Sequence, residues 1–210
     1  KGAYQEESPV DHDARMKWWR DAKFGMFIHW GVYAVPAGVF KGRRHKGNLG
    51  ERIMHGLRIS IAEYEELAKQ FNPVRFDADQ WVRIAHEAGM KYMVITAKHH
   101  DGFAMYHSKV SQWNIVDATP FGRDPLRELA DACARQGMKL GFYYSQAQDW
   151  YHAGGIAEER QWDPRQKGDW NEYVRTIAAP QVREILTNYG PVAVLWWDSA
   201  RHALTLEGVE

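Results

Sequence analysis

The sequence has almost no cysteine, no long apolar run and no excess of either charge. Cys133 is the single cysteine among 210 residues, which excludes an internal disulfide and a cysteine-based zinc site. No apolar run approaches the roughly 20 residues that span a bilayer. Lys plus Arg and Asp plus Glu each number 27, so neither nucleic acid nor a membrane is indicated as a partner. The length is suited to one globular core, so we expect a single domain over residues 1–210.

Nucleotide-binding glycine motifs are also missing, whereas aromatic residues are abundant. Neither GxGxxG nor GxxxxGK[ST] follows any apolar run. Ten tryptophans, ten tyrosines and ten histidines are present. The C–H face of a sugar packs on an aromatic plane while its hydroxyls need polar partners, so this composition modestly favours a carbohydrate ligand.

Four short apolar runs alternate with helical patterns. The runs are nearly continuous in hydrophobicity, as in strands buried on both faces of a parallel sheet. They cover residues 24–31, 91–100, 138–146 and 192–199. Helices are predicted over residues 61–70, 77–88, 125–136 and 172–188, the last with a kink at Pro180, and residues 39–51 form a long loop. This order predicts an α/β fold.

The carboxyl end of every predicted strand carries polar residues, which favours a (β/α)8 barrel because such barrels build their sites on that face. A complete barrel takes about 250 residues. We therefore expect the first four strands of the barrel with their helices, as a truncated domain.

The polar residues at the strand ends are candidate site residues. They are His29, His99, His100, Tyr143 or Tyr144, and Asp198. Imidazoles with one aspartate could bind a divalent metal for hydrolysis. Alternatively, neutral histidines could hydrogen-bond sugar hydroxyls while Asp198 attacks an anomeric carbon. Trp30, Trp196 and Trp197 nearby favour the sugar. Asp101, which precedes Gly102, is interpreted as a turn residue.

Several segments carry a specific resemblance. KFGMFIHWGVYAVPAG, KYMVITAKHHDGFAMYHS, NIVDATPFGRDPLRELADACARQGMKLGFYYSQAQDW and GPVAVLWWDS resemble the catalytic domain of the α-L-fucosidases of glycoside hydrolase family 29. GERIMHGLRISIAEYEELAKQFNP and YYSQAQDWYHAGG resemble the branch that prefers α-1,3/1,4-linked fucose. The resemblance runs from about Trp18 to Ser199.

The resemblance implies a retaining double-displacement hydrolysis of terminal α-L-fucosyl linkages. It implies a fucosylated oligosaccharide or glycoconjugate as substrate, no cofactor, no metal, and a secreted, periplasmic or lysosomal location; it makes no prediction of the oligomeric state. Asp198 aligns with the nucleophile. The implied substrate-binding residues are His29, Glu51, His99, His100, Tyr144 in preference to Tyr143, and Trp196.

Two departures from the family pattern keep other interpretations open. Arg52 stands where relatives commonly have tryptophan. The resemblance implies that the acid/base glutamate lies in the second half of the barrel, beyond residue 210; Glu207 and Glu210 are present but lie close to Asp198 in sequence. The 210 residues are then expected to be poorly active alone. The alternatives are a non-catalytic fucose-binding remnant and a metal-dependent hydrolase that uses His29, His99, His100 and Asp198.

Overall fold

The computed structural model describes residues 7–47, 49–156 and 161–198. The strands are β1 (Met26–Ile28), β2 (Val39–Phe40), β3 (Arg43–Arg44), β4 (Tyr92–Lys98), β5 (Lys139–Ser145) and β6 (Val194–Asp198). The α-helices are α1 (Pro9–Ala22), α2 (Ile53–Gly56), α3 (Ile61–Ala68), α4 (Ala78–Glu87), α5 (Pro125–Gln136), α6 (Trp170–Tyr173) and α7 (Ala179–Asn188). Short 3₁₀ turns cover Val32–Ala34, Gly50–Arg52 and Pro164–Gln166.

The predicted α/β fold with a parallel sheet is confirmed. Four strands pair in the order β1-β4-β5-β6, and every pairing in this sheet is parallel. Strands β2 and β3 form a separate antiparallel pair inside the segment predicted to be a loop. Within the described ranges, no helix is long and apolar enough to cross a lipid bilayer.

Local sequence signals explain where the main helices begin and end. Ser60 and Glu63 form a capping box at α3, and Asp77 and Asp124 cap α4 and α5 by accepting backbone N–H bonds. Gly137 closes α5 in the left-handed conformation at φ 69°. Helix α5 packs against β5 and α4, and Cys133 is buried on α5, inside the helix predicted over residues 125–136.

The helix predicted over residues 172–188 is divided into three parts. After α6, a π-helical turn spans Val174–Ala178, and Pro180 then lies in the first turn of α7. Proline has no N–H to donate, so it fits at a helix start and not in a continuous helix. Helix α1 was not predicted, and it has no buried residue.

The sheet is strongly curved. Strands β1 and β6 lie at opposite edges of the described sheet. In a flat sheet of four strands at ordinary spacing, these two edges would be about 14 Å apart. Nevertheless, the rings of Phe27 on β1 and Trp196 on β6 lie 5.0 Å apart on the face opposite the helices. That face is therefore concave, and the carboxyl ends of the strands converge at its rim.

Candidate active site

Aromatic rings from three strands meet at the carboxyl edge of the sheet. His29 follows β1, His99 follows β4, and Tyr143 belongs to β5. The His99 ring stacks on Tyr143 at 5.1 Å and 8°, and His29 lies 5.4 Å from His99 and 5.5 Å from Tyr143. Parallel strands bring their carboxyl ends to one edge, so residues distant in sequence form one cluster here.

His99 is a buried, neutral imidazole. Only 5% of the residue is exposed. Burial lowers the pKa of His99 well below its usual value, and His100 and His29 lower it further. A neutral imidazole keeps one nitrogen lone pair, so this ring can accept a hydrogen bond from a ligand or bind a cation.

The hydrogen bonds of His100 determine its tautomer. The Ser145 hydroxyl donates its one hydrogen to the Gln148 carbonyl at 2.7 Å. The Ser145 hydroxyl oxygen also lies 2.6 Å from Nδ1 of His100. Because its hydrogen is already used, this oxygen accepts the second hydrogen bond, so Nδ1 carries the proton. Burial, reinforced by the charge of Arg52, lowers the pKa of His100 to about 3. Its Nε2 is then a free acceptor, 3.8 Å from Asp198 Oδ2.

Asp198 lies at the end of β6 with its carboxylate held from one side. The Tyr143 hydroxyl donates a short hydrogen bond to Asp198 Oδ2. Burial raises the pKa of Tyr143, and its contact with Asp198 raises it further, so the tyrosine keeps this proton. The Asp198 side chain is 37% exposed and open to a ligand. The geometry offers an accessible carboxylate beside two neutral imidazoles.

The structure brings Tyr143, and not the preferred Tyr144, to the cluster beside Asp198. Neighbouring strand residues point to opposite faces, and Tyr144 points to the helices. Its hydroxyl donates to Gln181 Oε1 at 2.9 Å, and the Lys98 ammonium lies 4.5 Å from its ring centre. Tyr143, on the concave face, is the tyrosine that contacts Asp198.

Glu51 reaches the cluster from the 3₁₀ turn Gly50–Arg52. Ligand atoms of His29, Glu51 and His99 all lie within 4.8 Å of one another, a spacing that can hold a metal ion. The metal set considered from the sequence is different, because it combined the histidines with Asp198 in place of Glu51.

Of the three tryptophans expected near the pocket, Trp196 lies on the concave face. It is 45% exposed and contacts Phe27. Trp197 stacks on Tyr144 at 6.0 Å on the opposite face, and Trp30 packs against Phe76 at 5.3 Å. Only Trp196 among these three forms a wall beside Asp198.

Comparison with known proteins decides the family. The model of the family described as Alpha-L-fucosidase matches residues 2–207. The chain belongs to the α-L-fucosidase family. A putative alpha-L-fucosidase of Caenorhabditis elegans is 32% identical over 199 residues, which cover 90% of this chain and 39% of that protein.

Solved α-L-fucosidase structures have the same fold. The enzyme of Vibrio sp. strain EJY3 matches with a TM-score of 0.83 and 43% identity, over 89% of this chain and 32% of its own. AlfC of Lactobacillus casei, in complex with α-L-fucose, matches with a TM-score of 0.83 and 39% identity, over 91% of this chain and 64% of its own. The chain thus spans only about two fifths of the length of its curated α-L-fucosidase relative.

A buried polar network lies next to the residues that follow β4. Asp149 pairs with Lys98 at 2.7 Å and with His152 at 2.9 Å, and both Lys98 and Asp149 are fully buried. The next residue, Trp150, donates its backbone N–H to the His100 carbonyl at 2.7 Å. The network therefore fixes the loop after β5 against the residues that follow β4.

Two further residues from the sequence analysis, Arg52 and Asp101, have defined contacts. The Arg52 guanidinium lies 5.7 Å from the Trp150 ring centre, so the loop places a cation beside this ring. Asp101 accepts the Phe103 N–H at 3.2 Å, which confirms its predicted role in the turn. Glu207 and Glu210, weighed as acid/base candidates, lie outside the described residues.

Sequence reasoning missed two residues that shape the site, Phe27 and Ser145. Both could have been found by counting in steps of two, since Phe27 precedes His29 and Ser145 follows Tyr143 by two positions. The motifs that carry the family resemblance are marked by histidines, and neither Phe27 nor Ser145 stands out in them.

Proposed function

We propose that this chain contributes the nucleophile and sugar pocket of a retaining α-L-fucosidase that removes terminal α-L-fucosyl groups from oligosaccharides or glycoconjugates. One observation carries the proposal: the accessible carboxylate of Asp198 is held by Tyr143 at the point where the histidines converge. AlfC, a structural relative, was crystallised as a mutant with Fuca(1,6)GlcNAc, which supports a fucosylated substrate.

In this proposal Asp198 attacks the anomeric carbon. The carboxylate forms a bond to the sugar while the bond to the leaving oxygen breaks, and water later releases fucose. Tyr143 occupies Oδ2 of Asp198, so Oδ1 is the attacking oxygen. A retaining glycosidase needs a second carboxyl group about 5 to 5.5 Å away to protonate the leaving group. That acid comes from a part of the protein outside the described residues.

The sugar hydroxyls are bound by the polar rim. His100 Nε2 accepts a hydroxyl hydrogen, and His29, Glu51 and His99 bind further hydroxyls on the opposite side of the ring. Trp196 forms the apolar wall that packs on the C–H face of the sugar. The arrangement offers acceptors and one aromatic surface, which suits a deoxy sugar with few hydroxyls.

The curved sheet is proposed to be the first half of a (β/α)8 barrel. Parallel strands with helices on their outer face, and a concave inner face that brings Phe27 to Trp196, support a barrel wall. Relatives more than twice as long leave room for the remaining strands.

A mechanism-based label tests the nucleophile separately from the missing acid. In 2-deoxy-2-fluoro-α-L-fucosyl fluoride the leaving fluoride needs no protonation, so the first step does not depend on the acid/base group. We expect mass spectrometry to find one fluorosugar on the peptide that contains Asp198. The label should disappear in Asp198→Ala and persist in Asp79→Asn, which changes an exposed carboxylate on α4.

Absence of labelling in a folded protein that still binds L-fucose by calorimetry would favour the non-catalytic binding remnant. Labelling of another carboxylate would contradict the role given to Asp198. The α-1,3/1,4 preference is tested with α-1,3-, α-1,4- and α-1,6-linked fucosyl-GlcNAc in the full-length enzyme, where faster release from the first two is expected.

A further inference from the structure

We infer that His29, Glu51 and His99 form a binding site for Zn²⁺, and that the cation competes with the sugar for these side chains. The competition rests on the proposed function, whereas the cation site rests on geometry alone. The donor set consists of two imidazoles and one carboxylate, from residues that follow β1, lie in the turn Gly50–Arg52 and follow β4.

This donor set suits zinc better than the common hard cations. Two histidines with one glutamate and an open fourth position are a known zinc arrangement, whereas Mg²⁺ and Ca²⁺ prefer oxygen ligands throughout. Imidazole nitrogen is a preferred ligand of zinc and of copper, iron and nickel, and not of magnesium. We therefore expect Zn²⁺ to bind and Mg²⁺ not to bind.

Only a modest rearrangement is needed to close the site. Bonds of about 2.0 to 2.2 Å in a tetrahedral site place donor atoms about 3.3 Å apart. The donor atoms here already lie within 4.8 Å of one another. His29 is exposed and Glu51 is half-buried on a short turn, so both side chains can approach the cation.

His99 provides the fixed ligand. Its ring is held by stacking on Tyr143 and by an edge contact with Tyr33 at 5.8 Å. Its buried Nδ1 has no hydrogen-bond partner among the described residues. A buried nitrogen without a partner is costly, and a ligand that reaches Nδ1 removes this cost for the imidazole.

Calorimetry of the 210-residue chain with ZnCl₂ is the primary test. We expect one bound Zn²⁺ per chain, with affinity reduced at least ten-fold in His29→Ala and Glu51→Gln, whose exposed or half-buried side chains are changed without opening the core. His86→Ala, which removes an exposed histidine from α4, is the matched control and should bind within two-fold of the native chain. MgCl₂ should give no binding heat.

X-ray absorption at the zinc edge should show two imidazole ligands in the native complex. Asp198→Ala should keep the Zn²⁺ affinity, because Asp198 is not a ligand in this site. Unchanged affinity in both His29→Ala and Glu51→Gln, or loss of affinity in Asp198→Ala or His86→Ala, would overturn the inference.

Competition with sugar separates this inference from the proposed function. L-Fucose at a concentration that saturates the metal-free chain should weaken Zn²⁺ binding at least ten-fold. Full Zn²⁺ affinity in the fucose-saturated chain would contradict the shared site. If fucose fails to bind the metal-free chain, the proposed function fails, while the one-site Zn²⁺ titration still decides whether the cation site exists.

Discussion

At the level of single residues, hydrogen bonds to neighbouring oxygens fix the protons of Tyr143 and His100. Tyr143 retains its proton and donates it to Asp198, and His100 donates from Nδ1 to Ser145. The Asp198 carboxylate thus accepts a hydrogen bond from Tyr143, and Nε2 of His100 remains an acceptor.

Tyr143→Phe and Tyr144→Phe form a matched pair of variants. Loss of the Tyr143 hydroxyl removes a hydrogen bond to a charged group, worth about 1.5 to 3 kcal/mol. We expect the rate of fluorosugar labelling of Asp198 to fall roughly 10- to 100-fold. Tyr144→Phe loses its bond to Gln181 and should label at nearly the native rate, with a free energy of unfolding lower by about 1 kcal/mol.

The opposite pattern, with slow labelling in Tyr144→Phe and native labelling in Tyr143→Phe, would contradict the assignment of the two faces. The sequence could not decide between these adjacent tyrosines, because an apolar strand buried on both sides has no polar alternation to mark its faces. By contrast, His29, His99 and Asp198 could be predicted, since each follows an apolar run at a strand end.

At the scale of elements, Gly141 allows β5 and β6 to pair closely. A Cβ added at Gly141 would lie 2.6 Å from Val194 Cβ and 2.7 Å from the Val194 carbonyl oxygen. Because Val194 begins β6, the strand that ends in Asp198, the missing side chain at Gly141 sets the position of the carboxylate along the sheet.

Gly141→Ala should therefore destabilise the protein by about 1 to 3 kcal/mol through overpacking. The midpoint of urea unfolding, followed by circular dichroism, measures this effect. Gly50→Ala is the control, because its added Cβ would meet nothing within 4 Å, and it should stay within about 0.5 kcal/mol of the native protein. Equal stability of the two variants would show that β6 can shift without cost.

The elements that the sequence predicted best were those with explicit end signals. Helix α5 begins at Pro125 and ends before Gly137, as expected from those two residues. Helix α1 has no buried face, so apolar periodicity could not reveal it. The hairpin β2–β3 has only two residues per strand, too few for a period-two pattern.

At the scale of the whole molecule, buried ionisable groups make stability depend on pH. Asp101 is 1% exposed, and burial raises its pKa to about 7 despite hydrogen bonds from Tyr64 and Phe103. The folded protein therefore keeps a proton on Asp101 between about pH 4 and pH 7, whereas the unfolded chain has released it. Asp101 accordingly costs stability progressively as pH rises through that range.

Asp101→Asn should remove this pH dependence. As pH rises from 4 to 7, we expect the unfolding free energy of the native protein to fall by on the order of 4 kcal/mol relative to that of the variant. His99 and His100, with lowered pKa values, destabilise both proteins equally as pH falls below about 6.5, so the difference isolates Asp101. Urea titrations at several pH values measure it, and a constant difference would contradict the buried, protonated Asp101.

The parallel α/β architecture could be predicted from the order of the apolar runs, and the curvature of the sheet could not. Curvature arises from strand twist and from side chains of different strands that meet on one face. The contact between Phe27 and Trp196 joins residues at opposite ends of the sheet. No local pattern in either strand indicates the other.

That same contact has a consequence for the order in which the protein is made. Because β1 meets β6, Phe27 is synthesised 169 residues before its partner Trp196, and His29, His99 and His100 emerge from the ribosome before Asp198. Until β6 is added, the nascent chain displays an apolar concave surface and an unpaired β5, which are features that recruit chaperones. A chain that ends before residue 194 thus contains His29, His99 and His100 and lacks Asp198.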